Sequence, residues 1–80
     1  MHYVYILQSI SYTNEIYIGS SANLKSRLIS HNSDANKHTK KFKPWKVIWY
    51  ASFLSEKRAI EFEKYLKSAS GIAFRRKRLY

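Results

Sequence analysis

The sequence predicts a small α+β fold, a sandwich of three strands and a few helices in the order β-β-α-β-α-α. Three observations predict it. The chain has 80 residues, enough for one domain spanning 1–80 and not for two. Three short runs rich in Val, Ile, Tyr, Trp and Phe read as strands, and segments with helical spacing follow them. Seven Tyr, four Phe and two Trp supply the apolar bulk. Such rings bury much area per residue, which matters in a chain this close to the lower limit for a single core.

The elements follow in order. Tyr3-Val4-Tyr5-Ile6-Leu7 is β-branched and aromatic throughout, a strand. Residues 9–14 are polar and turn-like, and Glu15-Ile16-Tyr17-Ile18-Gly19 is a second strand, so the two predict an antiparallel hairpin. Ser20-Ser21 offers a helix N-cap. A helix over 22–32 is predicted after it, with Leu24 and Leu28 at i, i+4 as its core side. Residues 33–44 have no apolar period and read as a loop. The run from Trp45 to Phe53 is the strongest strand. Ser55 caps the next helix, with Glu56 in the first turn where the helix dipole favours an acid. That helix reaches about Ser68, where Ser68-Ala69-Ser70-Gly71 breaks it. Residues 72–78 predict a short last helix.

Composition excludes several classes. The absence of Cys removes disulfide frameworks, thiolate metal sites and a cysteine nucleophile. No apolar run approaches the ~20 residues needed to span a bilayer, and the first residues read as a strand and not as a leader. A cytoplasmic protein without membrane contact is expected. Charge points to the partner. Fifteen Lys and Arg against five Asp and Glu give a net charge of +10. Most of the excess lies in the second half, and two clusters stand out: Lys37, Lys40, Lys41, Lys43 and Lys46, then Arg75-Arg76-Lys77-Arg78. Such clusters fit a polyanion, nucleic acid before an anionic membrane, since no helix is a clean basic amphipath.

A few residues resist a pure packing account. Ala59, Phe62 and Leu66 share one side of the Ser55 helix, and Glu63 falls between Ala59 and Ile60 on the same wheel. A carboxylate there needs a partner or a metal, or it reaches solvent as a boundary residue. Arg27 and His31, at i, i+4, put a fixed cation and a titratable imidazole one turn apart. Tyr5 and Tyr17 can lie side by side in the hairpin, and Gly19 follows where a backbone turns or approaches a ligand. Phosphate-binding glycine loops, HExxH and a serine elbow are absent.

Taken together, Tyr3-Val4-Tyr5-Ile6-Leu7, Tyr17-Ile18-Gly19, the run from Asn23 through Arg27 and His31 to Asn32, and the later run from Ala59 to Lys67 resemble the GIY-YIG nuclease superfamily. Ser68-Ala69-Ser70-Gly71 is similar to the tail of its small stand-alone bacterial members. The resemblance covers essentially the whole chain. It implies a central three-stranded antiparallel sheet flanked by helices. It also implies a phosphodiester hydrolase using one divalent ion, Mg²⁺ or Mn²⁺. Carried over by motif, Tyr5 and Tyr17 match the two motif tyrosines, Arg27 and His31 the helix pair, and Glu63 the single metal-binding carboxylate.

The resemblance therefore implies that Tyr5, helped by His31, takes a proton from the attacking water, with nearby cations, Arg27, Lys25 and the metal, favouring tyrosinate. Tyr17 positions water or phosphate, although the sequence does not separate Tyr5 from Tyr17 as base. Arg27 stabilises the transition state. Lys25, Lys37, Lys40, Lys41, Lys43, Arg75, Arg76 and Arg78 are expected to hold the nucleic acid, DNA before RNA. The first motif lacks its glycine, and Gly71-Ile72-Ala73-Phe74-Arg75 lacks the Asn that many members carry near the end of the core. No targeting domain is attached, so low sequence specificity is expected, with a repair or recombination role and a protein partner as one means of targeting. The alternative is a non-catalytic nucleic-acid-binding module of the same fold.

Overall fold

The computed structural model describes residues 1–34, 37–68 and 71. Strands β1 (His2–Ser9), β2 (Ile16–Ser21) and β3 (Trp45–Phe53) form one antiparallel sheet in the order β2-β1-β3. Helices α1 (Leu24–His31) and α2 (Glu56–Lys67) cover its two faces. The predicted α+β class and the order β-β-α-β-α hold. The expected last helix over 72–78 lies outside the described residues, as do Arg75, Arg76 and Arg78.

Central position explains the composition of β1. Val4, Ile6 and Ile18 face α2 and pack with Ala59 and Leu66. Tyr5 and Leu7 face the other way, with Trp45, Leu24 and Leu28. A strand covered on both faces reads as a continuous apolar run, which Val4-Tyr5-Ile6-Leu7 is. The register slips between Ile6, which pairs with Trp49, and Leu7, which pairs with Val47. Ile48 is the extra residue, and such a bulge sharpens the local twist. Phe62 of α2 packs on Trp49 and Phe53 of β3, at centroid distances of 5.9 and 5.5 Å.

Two local expectations are corrected. The first helix starts at Leu24 and not at 22, and its cap is Asn23. The Asn23 Oδ1 accepts from the Ser26 N–H at 2.9 Å. Ser20 and Ser21 are still strand, paired with Val4 and Tyr3, so they cannot cap. The loop over 33–44 also has more order than its composition suggests. It holds a 3-10 turn, Lys40–Phe42. The Trp45 Nε1–H donates to the Thr39 carbonyl at 2.8 Å, and the Ser9 hydroxyl to the Phe42 carbonyl at 2.6 Å. The Asn32 side chain takes both backbone groups of Trp45. These bonds clamp the end of α1 and the chain after it to the start of β3.

Candidate active site

The site forms where α1 lies over the β1–β2 hairpin. Tyr5 and Tyr17 point to the α1 face, with rings stacked at a centroid distance of 6.5 Å. Gly19 pairs directly with Tyr5 across the hairpin. A Cβ at Gly19 would lie 2.6 Å from the Tyr5 hydroxyl and 2.8 Å from its Cζ. The Tyr5 ring thus lies across the bare backbone of β2, and the glycine is needed for close approach. Gly19→Ala is expected to displace Tyr5 with the fold retained, and to reduce at least tenfold the cleavage that the family resemblance implies. Cleavage rate together with circular dichroism checks this, and wild-type cleavage would show that Tyr5 needs no fixed position.

α1 brings Arg27 and His31 onto these phenols. His31 is fully buried, and its Nε2 lies 3.2 Å from the Tyr5 hydroxyl. Its ring also sits 4.6 Å from that of Tyr17. On its far side, Nδ1 lies 2.9 Å from the hydroxyl of Thr39, itself buried. The chain Thr39–His31–Tyr5 is therefore a buried run of hydrogen bonds from the α1–β3 connection to the hairpin. Arg27 interacts with the Tyr5 hydroxyl and more weakly with that of Tyr17. Its Nε is buried without a hydrogen-bond partner. An unpaired buried donor is costly unless an acceptor reaches it.

Burial and charge set the protonation states. Burial pushes the Tyr5 phenol above its ordinary value of 10.0 and outweighs the opposing bond and charge of Arg27. Arg27 favours tyrosinate, as expected, but burial outweighs it, and Tyr5 stays a phenol at neutral pH. Burial first, and then the Arg27 charge, hold His31 below its ordinary 6.5, so the imidazole is neutral at pH 7. The folded state thus binds this proton less readily than the unfolded chain. His31 contributes stability that is present above pH 6.5 and lost as pH falls from there through its lower folded pKa. The thermal midpoint is expected to fall between pH 7 and 5, with a flatter dependence in His31→Gln. Parallel curves for the two proteins would show that His31 is not the linked group.

Glu63 comes from the opposite face. α2 packs on the far side of the sheet, and Glu63 sits near Ser20 and His2, at the edge where β2 ends and β1 begins. Its Oε2 accepts from the Lys67 Nζ at 2.8 Å, and its side chain is 21% exposed. Burial pushes its pKa up, but the bonds from Lys67 and Ser20 and the charges of Lys67 and His2 outweigh this and hold it below the usual carboxylate value. Its charge reaches Tyr5. Glu63 thus stands at the boundary of the buried side of α2, with a lysine as its partner. It is an ionised, half-buried carboxylate tied to a lysine.

Among the described residues no three His, Cys, Asp or Glu side chains gather into a metal cluster. The donor set at Glu63, one ionised carboxylate with hydroxyl oxygen nearby, still fits a hard ion. Mg²⁺ takes oxygen ligands, keeps several waters, and is commonly held by one or two carboxylates plus substrate phosphates. Lys67 is the cation such an ion would replace.

The structure gathers five of the expected residues, four in direct contact and Glu63 within electrostatic reach. Lys25 is exposed on the first turn of α1. Lys37, Lys40, Lys41 and Lys43 are exposed too, but they precede Trp45, which pairs with Ser9. They belong to the end of β1 remote from Glu63, roughly 20 Å away along the strand. Lys43 is also paired with Asp34 at 2.7 Å. Sequence reasoning missed Thr39, Ser20 and Lys67. Of these only Lys67 left a trace, as the i+4 partner of Glu63.

The match to known families gives the class of protein. A family model of a nuclease-type catalytic domain covers residues 1–77. The domain is the GIY-YIG catalytic domain, and the chain belongs to that family. No curated protein matches the chain. No helix among the described residues is long and apolar enough to cross a membrane.

Proposed function

We propose that the chain is a divalent-metal-dependent endonuclease that hydrolyses phosphodiesters, those of DNA before RNA, with low sequence specificity. Repair or recombination is its setting, in the cytoplasm, with a protein partner as a means of targeting. One observation carries the reading: the buried bond between Tyr5 and a neutral His31, flanked by Arg27 and within reach of the Glu63 charge.

The residues divide the work. The neutral imidazole has one acceptor nitrogen. We assign it to Nε2, facing Tyr5, with the Nδ1–H donated to the Thr39 hydroxyl. As an attacking water gives its proton to the Tyr5 oxygen, Tyr5 passes its own proton to Nε2. No free tyrosinate is needed, which suits a phenol whose pKa burial has raised. Arg27 interacts with both phenols and keeps an unpaired Nε. A phosphate oxygen satisfies that donor, and its growing charge in the transition state strengthens the contact. Tyr17, whose ring is tilted against that of His31, orients the water or the phosphate. Glu63 would hold Mg²⁺ or Mn²⁺, an ion that neutralises phosphate charge and stabilises the leaving oxygen. Lys25 and the lysines of the α1–β3 connection hold the backbone, joined in this reading by Arg75, Arg76 and Arg78.

Supercoiled, branched and single-stranded DNA incubated with Mg²⁺ or Mn²⁺, with EDTA and Glu63→Ala controls, tests the proposal. Metal-dependent cleavage lost in the variant is expected. Salt-sensitive binding with no cleavage of any substrate would leave a binding module. Thr39 is a positioning residue with its own signature. Thr39→Val is expected to lower the rate and shift its acid limb, and Thr39→Ser to restore both. A lower rate with an unmoved limb would reduce Thr39 to packing.

A further inference from the structure

We propose that the groove between α1 and β3 binds an unpaired nucleobase of the substrate strand, and so selects nucleic acid that is single-stranded beside the scissile phosphate. The inference rests on the nuclease reading for its substrate but not for its test. The groove is an open concavity of about 640 Å³. Tyr3, Tyr50, Val47, Leu24 and Leu28 line it, and Lys25 stands at its rim.

The aromatic wall points to a base. Tyr3 and Tyr50 lie at a centroid distance of 6.3 Å with planes inclined by 59°. Two rings set at such an angle form a corner. A planar ligand can stack on one ring and meet the edge of the other, both of which are favourable aromatic geometries. Tyr50 is 57% exposed although it is a central residue of β3. This departs from the expectation that the strand aromatics pack, and it leaves a ring face available.

Charge and position argue for nucleic acid over a protein segment. The chain carries +10, and Lys25 places a cation where the groove opens. The groove also adjoins the candidate active site. Tyr3 precedes Tyr5 by two residues on the same face of β1, roughly 6.6 Å along the strand. Leu24 and Leu28 come from the same two turns of α1 as Arg27. A strand whose phosphate lies at Arg27 therefore has a neighbouring base within reach of Tyr3 and Tyr50, with Lys25 at the phosphate between. A duplex offers this groove only phosphates and sugar edges, because its base faces are stacked away. Only an unpaired base has an apolar face to bury there.

The test is binding in EDTA, where no cleavage occurs. Fluorescence anisotropy of the full chain is measured at fixed salt with a labelled single strand and with a blunt-ended, fully paired two-strand duplex of the same length. Tyr50→Ala is expected to weaken single-strand binding about tenfold, to leave duplex binding within about twofold, and to be rescued by Tyr50→Phe. In parallel, 5-iodouracil placed in the single strand is photo-crosslinked to the wild-type chain and the adduct mapped by mass spectrometry. Adducts on Tyr3 or Tyr50 support the groove. Equal loss for both ligands, no loss for the single strand, or adducts confined elsewhere would overturn it. So would a wild-type dimer in sedimentation that Tyr50→Ala dissociates, which would assign the groove to a second copy. The two readings fail separately. A chain that cleaves nothing yet keeps a Tyr50-dependent single-strand preference retains the groove and loses the nuclease. A chain that cleaves without any Tyr50 dependence does the reverse.

Discussion

Tyr5→Phe is expected to lower cleavage by about 10²- to 10⁴-fold, the usual contribution of a positioned proton-transfer group. The ring stays, so packing against Leu7, Trp45 and Leu28 stays with it. What goes is one oxygen that meets the buried His31 and the half-buried Arg27. His31 Nε2 and the Arg27 guanidinium are each left short of a contact. The expected loss of stability is about 1–3 kcal/mol, against a total of about 4–12 kcal/mol for a chain of this length. The variant therefore folds, and a loss of cleavage well beyond the loss of stability is chemical. Tyr17→Phe is expected to cost less, because Tyr17 meets His31 through its ring and Arg27 only weakly.

The pH–rate profile separates two mechanisms for Tyr5. With His31 as the proton acceptor, the rate falls on acidification through a pKa below 6.5 and is level from neutral pH upward. With preformed tyrosinate, the rate would climb tenfold per pH unit toward a phenol value above 10.0. A larger loss in Tyr17→Phe, or a rate still climbing at pH 9, would transfer the base to another group.

These residues differ in how visible they were in the sequence, and the reasons are physical. β1 was legible because a strand buried on both faces must be continuously apolar. The pairing of Arg27 with His31 was legible because helical period alone puts them one turn apart. The Gly19 signal was legible only in part. Its type suggested a close approach, but that the approaching group is the Tyr5 ring depends on register. Thr39 left no signal. It lies among Asn, His and Lys in a run without periodicity, and only the clamp of Trp45 on its carbonyl and the burial of α1's last turn bring it under His31. The start of α1 was misplaced for a similar reason. Ser20 and Ser21 are good caps by residue type, but pairing with β1 claims their backbone first. Glu63 stood out as a carboxylate on the wrong side of its helix. Its partners Ser20 and His2 come from other strands, so no local pattern announced them.

Glu63→Ala is expected to abolish metal-dependent cleavage, by about 10³-fold or more at saturating ion, while binding to nucleic acid in EDTA is kept or strengthened. The two effects have opposite electrostatic signs. The substitution takes away the carboxylate whose charge reaches Tyr5, the ligand this reading gives to a hard ion. It also frees Lys67 from its 2.8 Å pair at the same edge of the sheet. A net positive charge is gained where the phosphate lies, which favours binding. Stability hardly enters, because an i, i+4 ion pair at a half-exposed helix position contributes only about 0.3–0.5 kcal/mol. A companion variant, Lys67→Ala, works in the other direction. It removes the competitor for the carboxylate, so its half-saturating Mn²⁺ concentration is expected to fall below that of the wild type. Direct Mn²⁺ binding by electron paramagnetic resonance reads this without any cleavage. If Glu63→Ala cleaves normally, or if its Mn²⁺ affinity equals that of the wild type, Glu63 is a structural partner of Lys67 and Ser20 and the ion is held elsewhere.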